Sequence, residues 1–289
     1  MSIKAVDLCF TYGAGTAFEQ QALKHVNFEI QDGEFVGLIG HTGSGKSTLI
    51  QHLNGLERAT SGHIFYNGTD SYSDGLNMKV LRSKVGLVLQ YPDHKVCEVN
   101  VLAVFCCGPE IQGREQDEAR ERAKQALALV GMGPEYYEQS PFELSGGQKR
   151  RVAIAGVLAM EPEVLILDEP TAGLDPRGRD DLLNKLKALH EGRGITIILV
   201  SHSMEDVARF AGRLVVMNHG EKVFDGTPKE VFRHYKELEQ IGLAAPQITY
   251  LVHDLRHMGL EIDEDITTVP EARDAILKLY QKQQERAGC

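Results

Sequence analysis

The sequence predicts an α/β fold whose core is a buried parallel β-sheet. Three short apolar runs carry this prediction, at residues 35–39, 164–167 and 195–200. Runs that are apolar throughout are typical of strands covered on both faces, as in parallel sheets. Ligands of open parallel sheets bind at the carboxyl edge, so the residues that directly follow these runs are the candidates for function.

The first run leads into a glycine-rich loop, Gly40-His41-Thr42-Gly43-Ser44-Gly45-Lys46-Ser47, which fits the G-x-x-x-x-G-K-[ST] phosphate-loop pattern. Residues 47–53 predict the helix that follows such a loop, whereas a Gly-Ser linker would not lie between a buried strand and an apolar helix. Glycines let the backbone wrap phosphate oxygens closely, and successive N–H groups hold them. Lys46 is predicted to bridge the β- and γ-phosphates, and Ser47 to ligate Mg²⁺. The predicted nucleotide-binding residues are Gly40, Thr42, Gly43, Ser44, Gly45, Lys46, Ser47 and Thr48.

The second run ends in two carboxylates, Asp168 and Glu169, before Pro170. Asp168 is placed to hold the Mg²⁺ shell, and Glu169 to orient or deprotonate the attacking water. A capped turn is the alternative, since Asp and Pro are ordinary turn residues. In a chain that also carries a phosphate loop, the catalytic interpretation is the stronger one.

Two further strand ends deliver polar residues. Residues 84–89 predict a strand that ends at Gln90, which can touch both Mg²⁺ and the attacking water and so sense a γ-phosphate. The run at 195–200 delivers His202, a candidate γ-phosphate contact. A single histidine after a strand is usually structural or exposed, and His202 gains weight because it ends a third strand of the same kind.

A second glycine-rich loop, Leu144-Ser145-Gly146-Gly147-Gln148, precedes a predicted helix over about residues 147–160. A helix N-terminus preceded by glycines presents free N–H groups and the positive end of the dipole, which suits an anion. The next residues, 149–151, are all basic and oppose the dipole, which favours negative charge supplied from elsewhere. A flexible turn before an ordinary helix is the alternative. The small, apolar face of the helix is predicted to comprise Val152, Ala153, Gly156, Val157 and Met160.

The order of these motifs, with Asp175 between Glu169 and His202, resembles the nucleotide-binding subunits of ABC transporters. The resemblance implies a head-to-tail dimer with two ATP molecules, each held between the phosphate loop of one subunit and the second loop of the other. The residues of that second loop that would contact ATP are Ser145, Gly146, Gly147 and Gln148. Asp175 would run along the interface. The resemblance also places Tyr12 under the adenine, whereas an ordinary half-buried strand residue is the alternative.

The resemblance implies an ABC-type P-loop NTPase domain over residues 1–230. It would have a RecA-like parallel sheet core, an N-terminal antiparallel β subdomain and a helical signature subdomain at about 93–160. Within the helical subdomain, apolar residues at helical spacing predict a buried helix face that comprises Ala119, Ala123, Ala126, Leu127 and Val130. Residues 231–289 are predicted to be a small C-terminal helical extension. The resemblance suggests that this extension helps to hold two ATPase subunits together, and a solvated helical cap is the alternative.

Within that family, residues 40–48, 149–156 and 168–176 look like energy-coupling factor (ECF) ATPases, and the long loop at 13–19 resembles their A-prime type. Such subunits pair with a related but different ATPase. They power uptake of vitamins or transition-metal ions through a transmembrane coupling protein and a substrate-binding membrane subunit. Residues 94–98 and 104–109 depart from the usual pattern where the membrane partner should bind, and Asp93 and Glu98 are candidate acceptors for its arginines. A conventional importer ATPase acting as a homodimer is the alternative.

Composition limits the remaining classes. A net charge of −10 disfavours binding to nucleic acid or anionic lipid, and no apolar run approaches membrane-spanning length. With no visible signal peptide and five cysteines without metal-ligand spacing, we expect a peripheral protein on the cytoplasmic face of the cell membrane, held there by proteins. Three other classes fit less well. An ABC protein of translation would carry two cassettes, and a DNA-repair ATPase would carry a long coiled coil, whereas this sequence shows one cassette and no sustained heptads. A non-hydrolysing regulatory module would lack a glutamate at position 169.

Overall fold

The structure is a computed structural model that describes residues 1–73, 76–89 and 100–287. Its strands are β1 (Ile3–Tyr12), β2 (Gln20–Ile30), β3 (Phe35–Ile39), β4 (Ser61–Tyr66), β5 (Thr69–Asp70), β6 (Val85–Val88), β7 (Val164–Asp168), β8 (Thr196–Val200), β9 (Arg213–Asn218) and β10 (Glu221–Gly226). Its helices are α1 (Lys46–Leu53), α2 (Met78–Lys84), α3 (Val101–Ile111), α4 (Gln116–Leu129), α5 (Gly146–Leu158), α6 (Pro176–Arg193), α7 (Met204–Phe210), α8 (Pro228–Arg233), α9 (Tyr235–Gln240), α10 (Gln247–His257) and α11 (Val269–Ala287).

A six-stranded sheet in the order β10-β9-β3-β8-β7-β6 forms the centre of the molecule. Strands β9, β3, β8, β7 and β6 are parallel, and β10 pairs antiparallel with β9. Every residue of β3, β7 and β8 is buried. The predicted parallel core is therefore confirmed. The strand predicted at 84–89 is shorter, because Lys84 ends α2 and only Val85–Val88 pairs with β7.

A separate antiparallel sheet in the order β2-β1-β4-β5 covers one side of the phosphate-loop helix. Leu23 and Ile64 of this sheet share one apolar cluster with Leu49 of α1 and with Val36 of β3. Helix α1 is thus packed between two sheets, which fixes the loop at its N-terminus.

Helices α3, α4 and α5 form the region that carries the second glycine-rich loop. The predicted stripe from Ala119 to Val130 is buried. The predicted face of α5 is only partly right. Val152 is buried, but the other fully covered apolar residues are Ile154, Ala155, Leu158 and Ala159, whereas Ala153, Gly156, Val157 and Met160 are half-buried.

The physical reason is that α5 is covered on several sides. A Cβ on Gly156 would lie 2.8 Å from Phe105 of α3, so the small residue marks a close helix crossing. On another side Val157 packs against Gly86 of β6. A helix enclosed in this way has no single buried stripe for periodicity to reveal.

The C-terminal helices divide between two apolar clusters. Helix α8 runs across residue 230, and its Val231 and Phe232 belong to the main core. Val252 and Ile266 belong instead to a small cluster around α10 and α11. The domain division at 230/231 stays a prediction. In the described ranges, no helix is both long enough and apolar enough to cross a bilayer.

Candidate nucleotide-binding site

The phosphate loop, the carboxyl ends of β7 and β8 and the antiparallel sheet surround a cleft of about 500 Å³. The structure brings ten of the predicted site residues to its walls: Tyr12, Thr42, Gly43, Gly45, Lys46, Ser47, Thr48, Asp168, Glu169 and His202. Gly40 and Ser44 belong to the same loop. Gln90, Asp93 and Glu98 lie outside the described residues.

The loop is held in its curled shape by neighbouring backbone. Gly45 has φ +103°, and a Cβ there would lie 2.7 Å from the Ala22 carbonyl of β2, so both its conformation and its surroundings require glycine. Ser44 is fully buried, and its carbonyl accepts a hydrogen bond from the Gly220 N–H at 3.0 Å. The β9–β10 turn therefore braces the loop from outside.

Lys46 spans the inside of the loop. Its Nζ donates to the carbonyl oxygens of Gly40 at 2.7 Å and His41 at 3.0 Å, and the residue is buried. Burial lowers the pKa of this ammonium, against the opposing effect of Glu169 and Asp168. An ammonium has three donors, so one N–H remains for a ligand in the cleft.

Ser47 and Asp168 lie side by side at the floor of the cleft. The Ser47 hydroxyl donates to Asp168 Oδ2 at 3.5 Å, across the junction of α1 and β7. Burial raises the pKa of the Asp168 carboxyl, and the nearby Lys46 opposes the rise. A hydroxyl and a carboxylate oxygen at this distance are the hard ligands that Mg²⁺ prefers.

Glu169 carries a buried oxygen that has no hydrogen bond. Its side chain is only 12 % exposed, and Oε1 is buried without a hydrogen bond, although it lies 3.4 Å from His202 Nε2. Burial, and then the neighbouring Asp168, raise the pKa of Glu169 to about 7. Its backbone has φ +51°, uncommon for a residue other than glycine. Unpartnered buried oxygens and strained backbone occur at functional sites, where a ligand or water completes the contacts.

His202 faces Glu169 from the end of β8. Burial, and then the charge of Lys46, lower the pKa of its imidazole, while Asp168 opposes the shift. Its side chain is 52 % exposed on the cleft side. A neutral, accessible ring nitrogen can donate one hydrogen bond to an anionic ligand.

Tyr12 stands at the end of β1, on the wall of the cleft. Its hydroxyl shares a hydrogen bond of 3.1 Å with Thr48 Oγ1, and its ring meets Phe10 edge-on with 4.7 Å between centroids. The ring is 41 % exposed. It is therefore held in place yet accessible, as a stacking surface must be.

The sequence motifs miss a second set of cleft residues: Gln20, Gln21, Ala22, Lys24, His219 and Gly220. The first four belong to β2, and the last two form the β9–β10 turn, where the rings of His219 and His41 lie 5.0 Å apart. The stretch Asn218-His219-Gly220 has the composition of a tight turn, which indicates a hairpin but not what the hairpin lies against.

The loop 144–148 does not line this cleft in the described structure. Ser145 is the N-cap of α5, and with Gln148 it forms a capping box in which Ser145 N donates to Gln148 Oε1 at 2.8 Å. Ser145 and Gly146 are exposed. A Cβ on Gly147 would lie 2.8 Å from Leu174, so the loop packs against the segment that leads to Asp175.

Two of the three basic residues after this loop have partners in the chain itself. Arg150 donates to the Leu89 carbonyl at 3.0 Å, and Arg151 donates to the Val130 carbonyl at 2.6 Å and to Asp181 at 2.8 Å. Asp181 thus gives Arg151 a negatively charged partner within the chain, whereas the anion expected at this helix start stays a prediction. The two arginines tie α5 to the strand end at Leu89 and to α6.

Asp175 caps α6. One of its carboxylate oxygens accepts the N–H groups of Arg177 and Gly178, both at 3.0 Å, and these bonds, led by that of Gly178, lower its pKa. The residue is exposed. A structural cap thus accounts for an aspartate at this position, and its place along a subunit interface stays a prediction.

The fold and the cleft define an ATP-binding cassette of the ABC type, and residues 23–172 match the ABC transporter family. The energy-coupling factor transporter ATP-binding protein EcfA2 of Clostridium perfringens is 53% identical over 280 residues, which cover 96% of this chain and 98% of that protein. EcfA2 of Clostridium tetani is 52% identical over 281 residues, with 97% and 98% covered. The chain belongs to the family of ECF transporter ATP-binding proteins. The resemblance to ECF ATPases is confirmed.

Solved structures agree. The structure of cbiO1 from Clostridium perfringens, described as part of the ABC transporter complex cbiONQ, is 37% identical with a TM-score of 0.72, and the match covers 87% of this chain and 98% of that one. A dimeric post-hydrolysis state of the ATP-binding cassette MJ0796, bound to ADP and Pi, is 29% identical with a TM-score of 0.71 over 78% of this chain and 98% of that one.

Proposed function

We propose that the cleft binds ATP with Mg²⁺, that Glu169 acts on the attacking water, and that the chain drives uptake of a vitamin or transition-metal ion. The observation that carries the proposal is the buried Glu169 carboxylate, whose Oε1 has no hydrogen bond, lies 3.4 Å from His202 Nε2 and shares the cleft with Lys46, Ser47 and Asp168. It has the polarity and position that a general base needs.

The phosphate end of the nucleotide is held by the chain's own donors. Backbone N–H groups of the phosphate loop and of the first turn of α1 would surround the phosphates, and the third N–H of the Lys46 ammonium would donate to them. The exposed ring of Tyr12 supplies the stacking surface for the adenine. These contacts orient the triphosphate before any chemistry occurs.

Ser47 and Asp168 would hold Mg²⁺ at the cleft floor, since their oxygens already meet at 3.5 Å. Gln90 is proposed as the third protein ligand. When bound, the ion neutralises negative charge on the phosphates. The Glu169 oxygen without a hydrogen bond is consistent with this site, because a water held in the cleft would supply the missing hydrogen bond.

Glu169 orients the water for in-line attack on the γ-phosphorus and accepts its proton. A base with a pKa near the working pH removes a proton efficiently and can release it afterwards, and the pKa of Glu169 is about 7. His202 donates to the γ-phosphate from the far side of Glu169. Lys46 and His202 thereby stabilise the charge on the transferred group.

The exposure of the second glycine-rich loop supports the proposal that a partner subunit binds there. Ser145, Gly146, Gly147 and Gln148 lie outside the chain's own cleft, so in our proposal they complete the site of a second, different ECF ATPase, whose equivalent loop completes this one. A transmembrane coupling protein and a substrate-binding membrane subunit are the further partners, and the chain lies peripherally on the cytoplasmic face of the cell membrane. A homodimer is the alternative, favoured by the dimeric MJ0796 cassette.

The test is Glu169→Gln in the purified ATPase complex. The amide keeps the size of the side chain but cannot take the proton, so we expect ATP to bind as in the wild type while turnover falls on the order of 1,000-fold or more. Glu191→Gln, at an exposed position of α6, is the matched control and should hydrolyse normally. Normal turnover of Glu169→Gln would sink the assignment.

A further inference from the structure

An arginine outside the cleft contacts the turn that carries His202. The Arg179 Nε of α6 lies 2.9 Å from each carboxylate oxygen of Asp206 in α7, and its Nη2 lies 2.7 Å from Oδ1. The same nitrogen donates to the Ser203 hydroxyl. Asp206 is buried, with 8 % of its side chain exposed. A planar guanidinium bound in this fork-like way fixes direction as well as distance.

Both chain neighbours of His202 are held by this arrangement. Ser203 N donates to Ser201 Oγ at 3.0 Å, and Ser203 Oγ accepts the Asp206 N–H at 3.2 Å as the N-cap of α7. The imidazole that projects between them lies 3.4 Å from Glu169. A shift of the Ser203 hydroxyl therefore moves the backbone from which His202 projects.

At its backbone, Arg179 is also linked to the Asp175 cap of α6. Arg179 N donates to the Asp175 carbonyl at 2.9 Å, and the Asp175 side chain holds the N–H groups of Arg177 and Gly178. Asp175 and Arg179 thus belong to one rigid first turn of α6. One helical turn and one side chain separate the exposed Asp175 loop from the turn of His202.

We propose that Arg179 is a positioning residue for His202 that transmits the placement of the Asp175 loop to the γ-phosphate contact. The inference rests on the proposed function, in which His202 donates to the γ-phosphate, and on the predicted place of Asp175 along the subunit interface. A partner that docks against the first turn of α6 would fix the position of the Arg179 guanidinium. The guanidinium would in turn fix the backbone of the 201–203 turn.

A purely structural tie between α6 and α7 would have a different signature. The chain offers a matched pair for comparison, since Arg209 of α7 and Asp180 of α6 join the same two helices at 2.8 Å. This pair is exposed and is not in contact with the 201–203 turn among the described hydrogen bonds. Removal of either pair loosens the helices, but only loss of the Arg179 fork should alter His202.

The experiment measures kcat and KM for ATP in the assembled ATPase for Arg179→Lys, Arg209→Gln, His202→Ala and the double variant Arg179→Lys/His202→Ala. Lysine keeps a positive charge beside Asp206 but cannot bind Asp206 and Ser203 as a fork. We expect kcat of Arg179→Lys to fall on the order of 10- to 100-fold with KM little changed. Arg209→Gln should match the wild type. Added to His202→Ala, the Arg179 change should have no further effect, because both act through one group.

Three outcomes would overturn the inference: a multiplicative loss in the double variant, a raised KM with unchanged kcat, or an equal loss in Arg209→Gln. If Arg179→Lys does not fold, as thermal unfolding would show, the neutral pair Arg179→Gln/Asp206→Asn takes its place in the same cycle. Wild-type turnover of His202→Ala would remove His202 from the proposed function itself, and the inference with it. Loss of turnover in His202→Ala with additive effects would leave the proposed function intact and reject only Arg179.

Discussion

The two glycine-rich loops of this chain precede helices in the same way, yet their surroundings differ. The phosphate loop lies in a cleft built by the chain itself, with Lys46 bonded inside it and Ser44 buried beneath it. The loop at 144–148 is exposed at Ser145 and Gly146 and lies away from that cleft. One loop lies in a cleft of its own chain, and the other is open to a second chain, which in our proposal it helps to bind ATP.

The glycines differ in the same sense. Gly45 is required by a positive φ and by the Ala22 carbonyl beside it, so it permits the curl that holds phosphate. A Cβ on Gly147 would meet only the end of the Leu174 side chain, so the glycine lets the start of α5 lie close to the segment before Asp175. Gly146 has open space around its Cβ position and leaves the helix start accessible to another molecule. Similar composition thus shapes the wall of a cleft in one place and an outward-facing surface in the other.

The largest expected effect separates the two loops directly. Lys46→Ala should abolish ATP binding to the isolated chain, because the buried cation that meets the phosphates is lost. Ser145→Ala should leave that binding unchanged but lower turnover of the assembled ATPase by about 100- to 1,000-fold, the usual result of losing one preorganised donor to a transition state. Equilibrium binding of a fluorescent ATP analogue and steady-state phosphate release measure the two quantities.

Lys187→Ala, at an exposed position of α6, is the control for the first variant and should bind and hydrolyse normally. A Ser145→Ala chain with weakened ATP binding in isolation would contradict the comparison, since the loop would then act within its own chain.

The next largest expected effect is the loss of folding stability caused by the buried Glu169 carboxylate of the cleft. The pKa of Glu169 rises from 4.5 to about 7 in the folded chain, so the folded state holds this proton more tightly than the unfolded state does. Stability from this group is therefore present below about pH 4.5 and is lost as the pH rises towards 7. At about 1.4 kcal/mol per pKa unit, the loss is about 3 kcal/mol.

Glu169→Gln removes this ionisation. In the absence of nucleotide, the variant should be more stable than the wild type at pH 8, by up to about 3 kcal/mol, but by only about 1 kcal/mol at pH 5. Urea unfolding at the two pH values measures the difference, with the exposed Glu191→Gln as the control. A gain at pH 5 that matches the gain at pH 8 would show that the carboxylate is not strained in the free cleft.

The sequence predicts the cleft well wherever the chemistry lies in contiguous motifs. Lys46, Asp168, Glu169 and His202 each end or follow a buried strand, and parallel pairing of those strands brings their ends to one edge. Strand pairing follows from apolar runs that can be recognised locally. The fold class and the catalytic wall of the cleft are therefore predictable together.

The other wall is not. Lys24 and His219 reach the cleft because β2 and the β9–β10 turn are bonded to each other and to the phosphate loop. Lys24 N donates to the Gly220 carbonyl at 2.8 Å, and Gly220 N donates to the Ser44 carbonyl at 3.0 Å. These are contacts between distant segments with no local pattern. The partners of Arg150 and Arg151 could not be predicted for the same reason. They are the backbone carbonyls of Leu89 and Val130, and a carbonyl is present in every residue.

The smallest expected effect tests whether Asp175 is more than a cap. Asp175→Ala removes the acceptor for Arg177 N and Gly178 N, and loss of such an N-cap should cost about 1 kcal/mol of unfolding free energy. Asp175→Asn keeps an acceptor oxygen, so it should retain most of that stability. If Asp175 only caps α6, the asparagine variant also retains the turnover of the assembled ATPase. If its charge meets the partner subunit, which the predicted place of Asp175 along the interface would allow, turnover falls in Asp175→Asn while the unfolding curve stays in place, because only a second chain requires the charge.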